Sequence, residues 1–175
     1  IKHLLAALHY RVFGPVPLIK PVKLLTFGFI ALRKLCDHRM PGDIGNGHVV
    51  KLVNNTIAAC NRLGMLEAVA MGRKYGLTLE TMSDVINKSS GRSGATERLL
   101  PAMIAGEESS NFAMGLMLKD VSLATQLGLN CGAPMFLHNV VRGLLQQGVY
   151  EHGGDANLDE MIPVLEAMAN TKFVE

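Results

Sequence analysis

The sequence predicts an all-α fold, a helical bundle around one long central helix, on three observations. From Gly45 onward, apolar residues recur at helical spacing. The strict alternation of a half-buried strand is nearly absent, and the periodic stretches are separated by short breaks rich in turn-forming residues. Six helices are expected, near residues 46–75, 79–88, 95–105, 113–129, 134–149 and 158–169. Apolar residues make up 49% of the 175 and charged residues 18%, a globular composition with room for one medium domain and a tail. No apolar run approaches the roughly 20 residues of a membrane-spanning helix.

The chain changes character near Pro41-Gly42. Residues 1–41 carry seven Lys/Arg against Asp37 alone, a balance of +6, whereas the rest carries ten against fourteen, a balance of −4. Pro15, Pro17 and Pro21 work against an amphipathic helix, and the serine richness of a transit peptide is missing. A signal peptide fits no better, because the apolar stretch from Leu24 to Leu32 starts late and no cleavage pattern follows it. Residues 1–41 are therefore read as an atypical basic apolar leader, with a membrane-surface segment as the alternative, and residues 42–175 as the all-α domain. No nucleic-acid partner is expected.

The first helix is expected to run for about 30 residues, or ~45 Å, with apolar side chains almost all round between Ala58 and Met71, and so to lie buried at the centre. Gly64 costs it roughly 1 kcal/mol against alanine, tolerable if another helix packs closely there. The breaks fall at Gly76, at Ser89-Ser90-Gly91, from Gly106 to Asn111, from Asn130 to Ala133, and at His152-Gly153-Gly154-Asp155. Pro134 suits a first helical position, and Asn157-Leu158-Asp159-Glu160 offers a capping box for the last helix. Ten methionines, Met65, Met71, Met114 and Met117 among them, are expected to fill irregular gaps between helices.

Two constellations bear chemistry. The first is the glycine-rich entry Gly42-Asp43-Ile44-Gly45-Asn46-Gly47, which leads into a helix carrying Lys51 and Asn55 four residues apart. That spacing stacks the two side chains on one face, within reach of one small polar substrate. Val49, Val50, Leu52 and Val53 are expected to keep the lysine out of water, which would lower its pKa toward the range suited to proton transfer. The glycines are not a dinucleotide fingerprint: no third glycine follows at the required spacing and no strand precedes them. They form either a plain turn into the helix or a backbone approach to an anion.

The second constellation runs from Phe112 to Lys119-Asp120, where a charged pair follows a mostly apolar stretch. These charges could pair with neighbouring chain segments, worth about 0–1 kcal/mol if exposed. Alternatively, Phe112 could pack against a planar ring while Lys119 and Asp120 line the mouth of a cofactor site. His48, Asp43, Glu67, His138 and His152 form no recognisable ligand set, so no metal site is expected. Cys36, Cys60 and Cys131 are odd in number and widely spaced, as core thiols in a reducing compartment would be.

Together these residues resemble the C-terminal domain of the β-hydroxyacid dehydrogenases, the family of 3-hydroxyisobutyrate dehydrogenase and tartronate semialdehyde reductase, related to 6-phosphogluconate dehydrogenase. The resemblance runs from about Gly42 to Ala169. It rests on the glycine-rich entry with Lys51 and Asn54-Asn55, on Glu67-Ala68, on Ser90-Gly91-Arg92-Ser93, and on Phe112 through Lys119-Asp120. It implies an all-α 6-phosphogluconate-dehydrogenase-like fold and hydride transfer between NAD or NADP and a small 3-hydroxy acid.

In that scheme Lys51 is the general acid/base, Asn55 and Gly47 bind substrate, and Phe112, Lys119 and Asp120 lie beside the nicotinamide. The family places a Rossmann domain ahead of the helical one, and residues 1–41 do not match it. The leader is therefore expected to come from a truncated, rearranged or frame-shifted gene, and the chain alone to be inactive. A cytoplasmic location is expected, and a homo-dimer or higher homo-oligomer, because a domain made to pack against a missing lobe exposes a wide apolar patch. The alternative is a non-catalytic helical dimerisation module derived from such an enzyme.

Overall fold

The computed structural model describes residues 46–174, which belong to a compact unit spanning Gly42–Glu175. The expectations for the leader and for Gly42 to Gly45 lie outside the described residues. The elements follow in order: α1 (Asn46–Lys74), α2 (Leu79–Asn87), α3 (Gly94–Ala105), α4 (Met114–Cys131), α5 (Phe136–His152), a 3₁₀ turn (Leu158–Glu160) and α6 (Met161–Ala169). Among the described residues there is no strand, only an isolated antiparallel bridge between Ala113 and Asn157.

Helix α1 is the hub, packing against all five of the other α-helices. Its Leu63, Leu66 and Val69 join Leu99 and Leu100 of α3, Met114 and Val121 of α4, Leu145 of α5, and Met161 and Val164 of α6 in one core. The helix is not buried all round, however. Ile57 and Met71 are exposed, and so is Gly64, where an added Cβ would meet nothing within 4 Å. No helix packs closely at Gly64, so the packing that would have offset its cost is absent, and Met71 fills no gap.

Other methionines, Met82, Met114 and Met161 among them, do fill gaps, and glycines make room for them. The Met82 sulfur lies over Gly72, and the sulfurs of Met114 and Met161 occupy the space a side chain at Gly148 would take. Flexible thioethers thus seat α2 on α1, and α4 and α6 on α5.

The linking turns follow local chemistry. Ser93 and Thr96 close a reciprocal capping box on α3, with Ser93 N donating to Thr96 Oγ1 at 2.8 Å and Thr96 N donating to Ser93 Oγ at 3.3 Å. Gly106 and Gly132 end α3 and α4 at φ 68° and 72°, a left-handed conformation that costs glycine nothing. Pro134 is not a first helical position, since α5 begins at Phe136 after Met135. Asn157 caps the 3₁₀ turn by accepting from Asp159 N at 3.1 Å, while Glu160 lies beside His152 at 3.8 Å rather than closing the expected box.

Candidate functional site

The site forms where the N-terminal half of α1 crosses α4. Lys51 and Asn55, one turn apart on α1, both reach the carboxylate of Asp120, which α4 delivers from 65 positions away in the case of Asn55. Lys51 Nζ lies 3.1 Å from Asp120 Oδ2, and Asn55 Nδ2 donates to the same oxygen at 2.7 Å. Lys119 Nζ sits 3.2 Å from Asp120 Oδ1, so two ammonium groups and a carboxamide share one carboxylate. The Asp120 side chain is 3% exposed, against 33% for Lys51 and 45% for Lys119. A buried anion thus anchors two cations whose tips remain near water, and the cluster carries one positive charge in excess.

The expected apolar seal around Lys51 is absent: Val49, Val50 and Val53 are exposed, and the ammonium meets a carboxylate rather than a dry pocket. Neighbours in a helix are rotated by about 100° from one another, so residues adjacent in sequence do not flank a side chain in space. Gly47 lies one turn before Lys51 on the same face and is exposed. Phe112 is half-buried, packed against the core, and its carbonyl accepts from Leu158 N at 2.8 Å. The structure brings Lys51, Asn55, Lys119 and Asp120 together in one bonded cluster, with Gly47 one turn before Lys51; Phe112 packs against the core instead.

The start of α4 is held by the chain itself. Met114 N donates to Ala156 O at 2.8 Å and Gly115 N to Gly154 O at 2.9 Å, so these first-turn N–H groups are not free for a phosphate. A Cβ on Gly115 would come within 2.8 Å of Gly154 O, which explains glycine at this crossing.

Sequence reading missed a second, partly buried carboxylate. Asp159 accepts from Arg62 Nη1, Ser109 Oγ and Ser109 N, each at 2.6 Å, and Arg62 Nη2 donates to Ser109 Oγ at 2.9 Å. Burial alone would push the Asp159 carboxyl up, but the Ser109 hydroxyl, the Arg62 guanidinium and the Ser109 N–H together hold it below the usual carboxylate range. The available signal was Arg62, an arginine on the apolar side of a central helix, which needs an acid somewhere. Among the described residues no group of three or more His, Cys, Asp or Glu could hold a metal ion, and no helix is long and apolar enough to cross a membrane.

An all-α bundle with a lysine–asparagine pair on its long helix, tied to an aspartate of a second helix, defines the class to which the chain can be compared. Residues 45–165 match the family model described as the NAD-binding domain of NADP-dependent 3-hydroxyisobutyrate dehydrogenase. The chain belongs to this family of 3-hydroxyisobutyrate dehydrogenase-like enzymes.

Among its relatives is 2-(hydroxymethyl)glutarate dehydrogenase of Eubacterium barkeri, 37% identical over 128 residues, or 73% of this chain and 42% of that protein. Mitochondrial 3-hydroxyisobutyrate dehydrogenase of Rattus norvegicus is 31% identical over 118 residues, or 61% of this chain and 35% of that protein. The fold is that of a solved 3-hydroxyisobutyrate dehydrogenase from Salmonella typhimurium, with a TM-score of 0.65 at 21% identity over 78% of this chain and 50% of that one. A second solved chain, in complex with NADP+ and 2-OPP, gives a TM-score of 0.64 at 22% identity over 79% and 50%. The chain thus spans half or less of the length of these proteins.

Proposed function

We propose that the chain is the C-terminal catalytic and oligomerising portion of an NAD(P)-dependent 3-hydroxyacid dehydrogenase. The observation that carries this reading is the convergence of Lys51, Asn55 and Lys119 on the buried Asp120. In this reading Lys51 Nζ gives a proton to the substrate carbonyl oxygen during reduction and takes one from the hydroxyl during oxidation. Asn55 and the exposed Gly47 backbone orient the substrate. The excess positive charge of the cluster favours a substrate bearing a carboxylate, and Asp120 fixes all three donors from behind, so that little reorganisation is needed when the substrate arrives.

The donor set fits one end of a dinucleotide. Lys119, the more exposed of the two lysines, and Phe112 would hold the nicotinamide end, while the α4 N–H groups already bonded to Ala156 and Gly154 offer nothing to the phosphates. The cofactor, when bound, supplies or accepts the hydride. The rest of its binding belongs to a dinucleotide-binding lobe of the kind that the family places ahead of this domain, so the chain alone is expected to be inactive. Self-association as a dimer completes the reading, supported by exposed apolar side chains on α1, α4 and α5. A cytoplasmic location is supported by Cys60 and Cys131, both free.

The test is turnover of 3-hydroxyisobutyrate, glycerate or threonate with NAD+ or NADP+, measured on the chain alone and on the chain joined to the dinucleotide-binding lobe of a relative. Turnover in the joined form supports the proposal. A folded, dimeric joined form without turnover on any of these would instead favour the non-catalytic dimerisation module.

A further inference from the structure

Asn54 stands on α1 among exposed apolar side chains. Val50 and Ile57 lie one turn to either side of it and Val53 just before it, all of them exposed, as Asn54 is. Its carboxamide has water within reach, yet it is turned onto its neighbour: Asn54 Nδ2 donates to Asn55 Oδ1 at 3.2 Å. Asn55 Nδ2 in turn donates to Asp120 Oδ2 at 2.7 Å, the oxygen that lies 3.1 Å from Lys51 Nζ. A chain of donors thus runs from the surface to the buried anion, and its first member has no part in the proton transfer assigned to Lys51.

The buried end sets the direction of this chain. A carboxylate only accepts, so Asp120 takes the nitrogen of Asn55, and the carbonyl Oδ1 is left on the other side as an acceptor beside the site. Asn54 caps that acceptor. A carboxamide offers two N–H groups and two lone pairs; here Asp120 takes one N–H and Asn54 fills one lone pair. Donation into the carbonyl also polarises the amide, which makes the remaining N–H the stronger donor.

We infer that Asn54 is a specificity-determining residue of this site: by occupying the Asn55 carbonyl it makes Asn55 meet the ligand through N–H, and so selects a carboxylate over the matching neutral carboxamide. Lys51 and Lys119 attract negative charge from a distance. Asn54 acts at contact, through the polarity of the group next to it. The inference rests on the dehydrogenase reading for the kind of ligand, a small hydroxy acid, and on the bond directions for the rest.

The test is binding to the full chain, followed by NMR at the Asn55 side-chain amide, which needs neither cofactor nor turnover. The ligands are 3-hydroxyisobutyrate and its primary amide, alike in shape but different in charge and in N–H groups. Asn54→Leu keeps the size of the exposed side chain and removes its donor, and the backbone amide spectrum checks that the fold is retained. The unmodified chain should bind the acid more tightly than the amide. In Asn54→Leu the acid should weaken while the amide, free to donate to the uncapped Oδ1, should hold or gain, so the ratio of the two affinities should fall about fivefold. An unchanged or rising ratio would overturn the inference, because a general loosening of the helix surface weakens both ligands alike. So would failure of the unmodified chain to bind either ligand at tens of millimolar. A ratio that falls as expected, in a chain whose joined form shows no turnover, would uphold Asn54 and overturn the dehydrogenase reading instead.

Discussion

Asp120, buried, and Asp159, partly buried with 14% of its side chain exposed, are both carboxylates bound to cations, yet their cations face different ways. Asp159 accepts from Arg62 and Ser109, and the Arg62 residue is itself buried, so little of this network faces outward. Asp120 holds Lys51 and Lys119, each keeping a third or more of its side-chain surface exposed, so the positive charge in excess can meet a solute. A closed network clamps the loop before α4 to the turn before α6; an open one leaves its cations facing solvent. What separates them is the destination of the cation rather than the burial of the anion.

Substitution should sharpen that contrast. The largest stability effect belongs to Asp159→Asn, which leaves the Arg62 guanidinium buried beside a neutral amide. A loss of about 3 kcal/mol is expected in denaturant unfolding, and roughly 10 °C in melting temperature. Next comes Gly115→Ala, whose Cβ would press on the Gly154 backbone; a loss of about 2 kcal/mol is expected by the same measurement. Asp120→Asn should cost only about 1 kcal/mol, because the released ammonium groups of Lys51 and Lys119 can turn to water. Equal losses for the two Asp→Asn variants would break the comparison.

The smallest effect is on pH dependence. The Asp159 carboxyl is held below its ordinary value in the folded chain, so its contribution is complete above the unfolded carboxylate value and is lost as pH falls through the folded one. Unfolding curves of the unmodified chain and Asp159→Asn should therefore begin to approach one another below about pH 4 and meet only once pH has fallen through the lower folded value.

Much of the fold was legible in the sequence, because six periodic segments and their glycine- and serine-bearing breaks encode helices locally. Lys51 and Asn55 were legible as a pair because four residues make one helical turn. Their tie to Asp120, and that of Arg62 to Asp159 across 97 positions, depends on tertiary packing that no local period specifies. The mistaken seal around Lys51 came from reading sequence neighbours as spatial neighbours. The condition that would have made Gly64 cheap, a helix packed closely on it, is a tertiary matter, and its surroundings are open.

The central claim is that the amine of Lys51 moves the proton. Its most direct test is the kcat of Lys51→Ala relative to the unmodified chain, both joined to the same dinucleotide-binding lobe and both matched in unfolding midpoint. The account predicts a loss of about 10²–10⁴-fold. Turnover retained to within about twofold, far short of a general acid–base contribution, would contradict it.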